Sequence, residues 1–235
     1  MFPLKSSAQF GLLPAVTALL VTINVLVFVG ELVIPAELIE NFVRVYGLIP
    51  AMFISQFGTP QVMRIFSSMF IHGGIAHLLG NMWFLHIFGE SVEGRLGHFS
   101  YLCLYIFCGI FAALTQIIIE PHSMLPMIGA SGAIAGVLGA YLIFFPRATI
   151  TTLILAGFLT RKAEIPAVFF LVFWFLMQFV SVFFVHLDSN AQDSAIAFAA
   201  HIGGFIAGMG FAVLIARGHR QEDDSAVNQC DFYVN

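Results

Sequence analysis

Long apolar runs separated by short polar connections dominate the pattern of this chain. Six such segments can be drawn, with approximate bounds 13–34, 69–89, 99–119, 131–146, 165–185 and 195–216. A helix needs about 20 residues to cross the hydrocarbon core of a bilayer, and all but the fourth segment are near that length. The pattern therefore predicts an all-α polytopic membrane protein built as a bundle of six transmembrane helices.

The fourth segment is short and begins within the Gly-Ala-Ser-Gly sequence at 129–132. As a helix, its apolar run from Ser131 to Phe145 would extend about 22 Å, which is less than the roughly 30 Å of hydrocarbon. One end of this helix is therefore expected to stop inside the bilayer, with Ser131 at that end. A hydroxyl group at this depth requires a cavity lined by protein, which makes Ser131 a candidate functional residue.

The polar ends and the longest connection complete the predicted organisation. We expect an N-terminal segment at 1–12, a membrane domain at 13–216, and a poorly ordered polar tail at 217–235. The first apolar segment is expected to be retained rather than removed as a signal peptide. The connection 35–68 contains Ile, Phe and Met among its Pro and Gly residues. It is therefore expected to form short helices in the outer membrane interface, with an ordinary solvated loop as the alternative.

Composition and charge agree with a membrane location. Hydrophobic residues make up 60% of the chain and charged residues 9%, whereas soluble domains carry about 25% charged residues. The net charge of −4 gives no indication of nucleic-acid binding. With the N-terminus in the cytoplasm, all of the nine Lys and Arg residues except Arg44 and Arg64 lie on the cytoplasmic side. The positive-inside rule therefore predicts that both termini are cytoplasmic.

Several polar side chains within these segments fall at similar depths. His77 and Asn81 share one face of the second segment because they are four residues apart, and His201 lies in the sixth segment. The helical rise places Ser131, His77 and His201 about 8–10 Å below the outer surface, with Asn81 one turn deeper. Glycine and alanine recur along the fourth and sixth segments, which predicts close packing of these two helices. Ser131 and His201 would then be neighbours.

These groups are suited to acyl transfer. A serine hydroxyl is a weak nucleophile until a base removes its proton, and His201 is the proposed base. His77, the Asn81 amide and the backbone N–H of Ser131 can donate to a developing oxyanion. Gly132 has no side chain and would therefore let a substrate backbone approach closely. We expect no Asp or Glu at this depth and therefore predict a Ser-His dyad. The structural alternative is that the polar groups bond across helices and Ser131 caps its helix.

The same residues resemble the motifs of the rhomboid family of intramembrane serine proteases. Gly-x-Ser-Gly stands at 129–132, His-x-x-x-Asn at 77–81, and Ala-His-Ile-Gly-Gly at 200–204. Arg64 matches the arginine of a Trp-Arg pair in the first loop, and 93–95 match a Glu-x-Arg motif. The resemblance covers about 13–216 and implies a six-helix rhomboid-like bundle with a long interfacial first loop.

What the resemblance implies for chemistry is specific. It implies Ser131 as the nucleophile, His201 as the base, and His77 with Asn81 as oxyanion donors. It also implies cleavage of transmembrane-protein substrates near the outer ends of their spans, with no metal and no cofactor. The chain departs from the family pattern at Met63, which replaces the tryptophan of the Trp-Arg pair.

A second departure concerns the histidine ring. Many family members carry an aromatic residue four positions after the serine, where it packs on the catalytic histidine, and here that position is Ala135. Phe205, one turn after His201, is a candidate for this contact. His72, near the outer mouth of the second segment, is a candidate for lining the same cavity.

Other classes of function fit parts of the pattern. A catalytically silent rhomboid-like protein that binds membrane proteins would lack the serine or the histidine, and both are present. A channel or transporter would need polar groups throughout the bilayer, but the fourth and sixth segments are apolar below Ser131 and His201. The sequence has no His-Glu-x-x-His helix of a metalloprotease. We therefore expect an intramembrane serine endopeptidase in a bacterial or archaeal plasma membrane, with its oligomeric state left open.

Overall fold

The computed structural model describes residues 2–8, 13–156, 159–187 and 198–232. These residues are mostly helical and include a small sheet. The helices are α1 (Ala15–Leu32), α2 (Ala36–Tyr46), α3 (Pro50–Ser55), α4 (Thr59–Ser67), α5 (Ile75–Leu96), α6 (His98–Ile119), α7 (Ser131–Phe144), α8 (Ala167–Leu187) and α9 (Phe198–Phe232). The strands are β1 (Phe2–Ser6), β2 (Thr149–Ala156) and β3 (Leu159–Pro166).

By length and composition, three helices among the described residues are suited to crossing a membrane. They are α1, α6 and the part of α9 that ends at Arg217. Residues Thr59–Phe70 and α5 form a pair bent by 83°, which makes a fourth span if the pair is counted as one. Helix α7 and Ala167–Gln178 of α8 are apolar but shorter. The chain is therefore a membrane protein with three or four such spans, and the count of six stays a prediction.

The prediction of an all-α chain is wrong between α7 and α8. Strand β2 pairs antiparallel with β3, from Thr149 opposite Pro166 to Ala156 opposite Leu159, and also with β1. Strand β2 has the sequence TITTLILA, and β-branched threonine and isoleucine favour a pleated strand. The N-terminal segment, for which we predicted no element, supplies the edge strand β1. Trp83 of α5 donates from its ring N–H to the carbonyl oxygen of Pro3 at 2.6 Å and ties the sheet to the bundle.

The tail continues the last helix. Helix α9 extends beyond Arg217, and the backbone is helical through Phe232. The expectation that this polar segment is poorly ordered stays a prediction. The segment contains Gln, Glu and Ala, whose helix propensities are favourable, and no proline that would end the helix.

The first connection folds into α2, α3 and α4, so the prediction of short helices is confirmed. Arg64 on α4 fastens this region to the end of α2, because its Nε donates to the carbonyl oxygen of Val45 at 2.9 Å. A second bond runs from Nη1 to Oε1 of Gln61 at 3.0 Å. Met63, which stands where the motif has tryptophan, is 57% exposed and therefore contributes little packing. The arginine of the motif anchors the loop instead. The location of these helices in a membrane interface stays a prediction.

Helix α1 is held at its N-terminus by a carboxylate from α5. No side chain of its own caps it. The Glu93 oxygens instead accept the backbone N–H groups of Val16 and Thr17, each at 2.8 Å, and the Thr17 hydroxyl at 2.7 Å. Glu93 is fully buried, and these donors replace the water that a carboxylate requires. The glutamate of the Glu-x-Arg motif thus fixes α1 against α5.

The centre of the bundle is the contact between α7 and α9. A Cβ atom on Gly204 would overlap the carbonyl oxygen of Gly132, and one on Gly208 would overlap that of Gly136. Only glycine lets the two backbones approach this closely. The contact predicted from the small residues is therefore present, and it brings the start of α7 beside the first turn of α9.

Candidate functional site

Ser131 begins α7, His201 lies in the first turn of α9, and a hydrogen bond joins their side chains. The distance from Ser131 Oγ to His201 Nε2 is 2.8 Å. Both residues line a cavity of about 280 Å³, and His77 and Asn81 of α5 line it too. Both Ser131 and His201 are partly buried. The structure thus brings together the four polar side chains identified in the sequence, from three helices, while their chemical roles stay predictions.

Two glycines at the start of α7, Gly129 just before the helix and Gly132 in its first turn, are each explained by their surroundings. Gly129 has φ +116°, a conformation that side chains disfavour, and a Cβ atom there would lie 2.7 Å from His77 Nε2. Its N–H donates to the carbonyl oxygen of Ser68 at 2.8 Å. A Cβ atom on Gly132 would lie 2.6 Å from Cβ of Ala112 on α6. Packing against α6 therefore explains the glycine at 132, and its predicted role toward a substrate stays a prediction.

Two aromatic rings hold the imidazole of His201. Trp174 of α8 lies with its ring centroid 5.9 Å away at an interplanar angle of 36°, and Phe198 meets the ring edge-on at 6.1 Å. The interpretation of Phe205 as the contact needs correction, because Phe205 packs against Trp174 at 6.1 Å. Trp174, from a different helix, thus supplies the aromatic contact that Ala135 cannot make.

Gln178 is the hydrogen-bonding partner on the other side of the His201 ring, and sequence reasoning missed it. Its Oε1 lies 2.8 Å from His201 Nδ1, and the side chain is buried. A signal was available in the sequence. An amide within an apolar span is costly and usually functional, and this rule applies to Gln178 in the fifth segment as well as to Asn81 in the second.

Asn81 is held by a second group of hydrogen bonds. Its Nδ2 lies 2.9 Å from His72 Nε2, and His72 Nδ1 lies 3.2 Å from the carbonyl oxygen of Phe70. Because a carbonyl oxygen only accepts, the His72 proton is on Nδ1, and Nε2 accepts from the Asn81 amide. The His72 ring meets that of His77 edge-on at 5.1 Å. His72 thus supports the cavity from behind Asn81 and lines a neighbouring cavity of about 500 Å³.

Glu31, near the end of α1, is a buried carboxylate that the sequence analysis overlooked. Its two oxygens accept the backbone N–H of His72 at 3.2 and 3.4 Å. Glu31 therefore lies beside His72, and the expectation that no Asp or Glu lies at the depth of Ser131 and His201 stays a prediction. This carboxylate acts on the His72 side of the site, whereas Nδ1 of His201 faces the neutral amide of Gln178.

The arrangement suits nucleophilic chemistry. The Ser131 hydroxyl is hydrogen-bonded to an imidazole nitrogen of His201, as activation of a serine nucleophile requires. His77 and the Asn81 amide line the same cavity, where they could donate hydrogen bonds to an oxyanion. Among the described residues, no group of three or more His, Cys, Asp or Glu side chains is placed to hold a metal ion.

Comparison with protein-family models identifies the family of this chain. Residues 59–218 match the model of the Rhomboid domain. The match covers more than half of the chain, and the protein belongs to the rhomboid family. The relatives that it matches include proteins named as rhomboid proteases and one named as an inactive rhomboid protein.

Individual relatives are similar at modest identity. RHOMBOID-like protein 5 of Arabidopsis thaliana is 27% identical over 154 residues, which are 65% of this chain and 44% of the relative. Rhomboid protease AarA of Providencia stuartii is 27% identical over 223 residues, 88% of this chain and 75% of the relative. Inactive rhomboid protein 1 of Drosophila melanogaster is 33% identical over 97 residues, 41% of this chain and 6% of the relative. The chain spans less than half the length of several plant relatives that it matches.

Proposed function

We propose that this chain is an intramembrane serine endopeptidase that cleaves transmembrane-protein substrates in or near the outer part of the bilayer. The observation that carries the proposal is the 2.8 Å hydrogen bond between Ser131 Oγ and His201 Nε2 within a cavity. A hydroxyl paired with an imidazole at a buried site has the geometry of a nucleophile and its base. Membership of a family that contains serine proteases supports the same reading.

In the proposed mechanism, Ser131 Oγ attacks the scissile carbonyl carbon while its proton passes to His201 Nε2. The carbonyl oxygen becomes an oxyanion, to which His77, the Asn81 amide and the Ser131 backbone N–H donate. The protonated His201 then gives its proton to the leaving amine, and an acyl-enzyme remains. His201 next removes a proton from water as the water oxygen attacks the ester carbonyl carbon. The bond from that carbon to Oγ then breaks, and His201 returns the proton to Oγ, which restores Ser131 and releases the acid. These steps use the side chains of the chain itself and call for no cofactor.

The setting of this reaction is also proposed. The positive-inside count supports an orientation with both termini in the cytoplasm. The location that we propose is a bacterial or archaeal plasma membrane, because a short chain made almost entirely of membrane spans suits it. Substrates would reach the cavity sideways through the bilayer, because their scissile bonds lie in or beside membrane spans.

The alternative function is a catalytically silent rhomboid-like protein that binds membrane proteins without cleaving them. A relative named Inactive rhomboid protein 1 supports this alternative, because its name describes it as inactive. The presence of both Ser131 and His201, hydrogen-bonded to one another, favours the protease.

A fluorophosphonate probe separates the two functions. In the full-length protein in detergent or liposomes, the probe is expected to label Ser131 covalently, because His201 activates this hydroxyl. Labelling is expected to vanish in Ser131→Ala and to fall strongly in His201→Ala. Absence of labelling and of substrate cleavage in folded wild-type protein would overturn the protease proposal and favour the silent binder.

The His72 network leads to a prediction about oxyanion stabilisation. Replacing His72 by phenylalanine removes the acceptor that holds the Asn81 amide and should lower kcat about tenfold. The matched measurement is a double-mutant cycle with Asn81→Ala. The loss from His72→Phe should nearly disappear when Asn81 is already alanine. An equal loss in both backgrounds would show that His72 does not act through Asn81.

A further inference from the structure

The amide of Gln178 is held between two partners that fix its orientation. Its Nε2 lies 3.1 Å from the backbone carbonyl oxygen of Trp174, one turn earlier on α8, and its Oε1 lies 2.8 Å from His201 Nδ1. A backbone carbonyl oxygen can only accept a hydrogen bond. The NH₂ group of Gln178 must therefore face Trp174, and its carbonyl oxygen must face His201.

That orientation determines which nitrogen of His201 carries the proton. The amide oxygen of Gln178 also only accepts, so Nδ1 must be the protonated nitrogen. A neutral imidazole has one N–H, and its Nε2 lone pair is then free to accept from the Ser131 hydroxyl at 2.8 Å. In the opposite tautomer, an Nδ1 lone pair would face the Gln178 oxygen without any hydrogen between them.

We propose that Gln178 is a positioning residue that selects the His201 tautomer able to deprotonate Ser131 and keeps the ring aligned during turnover. The inference rests on the proposed function, because the selected tautomer matters only if His201 acts as a base. When Oγ bonds to the scissile carbon, its proton moves to Nε2. The Nδ1 proton stays on the ring and continues to be donated to Gln178, so no proton passes to the amide.

The surroundings explain why an amide is suited to this position. Gln178 is only 8% exposed, and burying a carboxylate here would cost more than burying an amide. Aromatic rings of Trp174 and Phe198 flank the imidazole. Among the residues that the structure describes, His77 is the other titratable residue lining the cavity. The Gln178 oxygen therefore supplies the acceptor for Nδ1–H, and its dipole also favours the protonated ring without a fixed charge.

The test compares two replacements of similar size. Gln178→Met keeps the length of the side chain but removes the acceptor, whereas Gln178→Glu keeps an acceptor oxygen. Leu176→Met, on the 54% exposed Leu176 of the same helix, is the matched control. For each full-length variant, we would measure kcat and KM on a transmembrane substrate, the rate of fluorophosphonate labelling, thermal unfolding and the pH profile of kcat/KM.

Gln178→Met is expected to lower kcat and the labelling rate about 10- to 100-fold, as for loss of a hydrogen bond to a reacting group, with little change in KM. Gln178→Glu should recover most of the rate. The acidic limb of its pH profile should move to higher pH, because a carboxylate stabilises protonated His201. Leu176→Met should resemble wild type.

Nitrogen NMR of histidine-labelled protein gives a readout that does not depend on activity. Wild type should show Nδ1 protonated and Nε2 unprotonated in His201, and Gln178→Met should show a mixture of tautomers. An unchanged spectrum, an unchanged labelling rate in Gln178→Met, or equal impairment of the Met and Glu variants would each overturn the role of Gln178. If Gln178→Met does not fold, an unshifted pH profile in Gln178→Glu overturns it.

The same experiment distinguishes this inference from the proposed function. Failure of wild-type Ser131 to react with the probe would overturn the protease proposal, and the nitrogen spectrum would still report the tautomer. Normal reactivity in wild type together with an unaffected Gln178→Met would leave the protease proposal intact and overturn the role of Gln178 alone.

Discussion

Replacing Ser131 and His201 together by alanine is expected to lower kcat no further than replacing either residue alone, by at least about 10³-fold in each case. The two side chains act as one unit, because the hydroxyl loses its proton only if Nε2, 2.8 Å away, accepts it. Removing either member leaves the other without a function. Any remaining activity would come from substrate binding and from His77 and Asn81, the proposed oxyanion donors.

Cleavage of a transmembrane substrate in proteoliposomes would measure this effect in the three variants. His86→Ala is the matched control. The His86 side chain is 64% exposed and pairs with Glu90 on the same helix, so its loss should leave kcat near the wild-type value. Losses that multiply in the double variant would mean that Ser131 and His201 contribute independently, which contradicts a shared proton transfer.

The position of the site could be predicted from the sequence because it depends on helical rise and on residue size. Ser131 and His201 both lie at the N-terminal ends of their helices, α7 and α9. The glycines along both helices allow the two backbones to come into contact. Depth along two helices and contact between them are enough to bring two side chains together. The bond between Ser131 and His201 follows from these local properties.

The supports of the His201 ring could not be placed in the same way. Helix α8 is apolar on nearly every side, so its periodicity does not indicate which face turns toward the bundle. That Trp174 and Gln178 both face His201 depends on how α8 packs against α9. Glu31 was overlooked because its partner could not be predicted. The backbone N–H of His72 is free to bond to Glu31 because it lies in a break before α5, and the apolar pattern predicted one continuous helical segment there.

The sheet was missed because β2 and β3 lie in a connection and β1 lies in the N-terminal segment. The sequence of β2 has the β-branched composition of a strand, but its pairing with β1 joins residues 144 to 151 positions apart, from Ser6 with Ile150 to Phe2 with Leu153. Local propensity cannot specify such a partner. The N-terminal segment therefore acquires structure only through a contact with a distant part of the chain.

Gly208→Ala is expected to lower both activity and stability, although residue 208 lies about two turns from His201. A Cβ atom at 208 would overlap the carbonyl oxygen of Gly136, and the backbones of α7 and α9 must move apart to admit it. Overpacking of this kind destabilises a protein by about 1–3 kcal/mol. Ser131 lies on α7 and His201 on α9. Moving these two helices apart by about 1 Å should therefore also reduce kcat about 100-fold.

Gly210→Ala provides a control on the same helix that differs only in its surroundings. A Cβ atom at Gly210 meets nothing within 4 Å, so alanine there should leave kcat unchanged and leave thermal stability equal or slightly higher, because alanine favours the helix. Thermal unfolding in detergent and kcat on a transmembrane substrate would be measured for both variants. If Gly208→Ala behaved like Gly210→Ala, close contact between α7 and α9 would not be what holds Ser131 against His201.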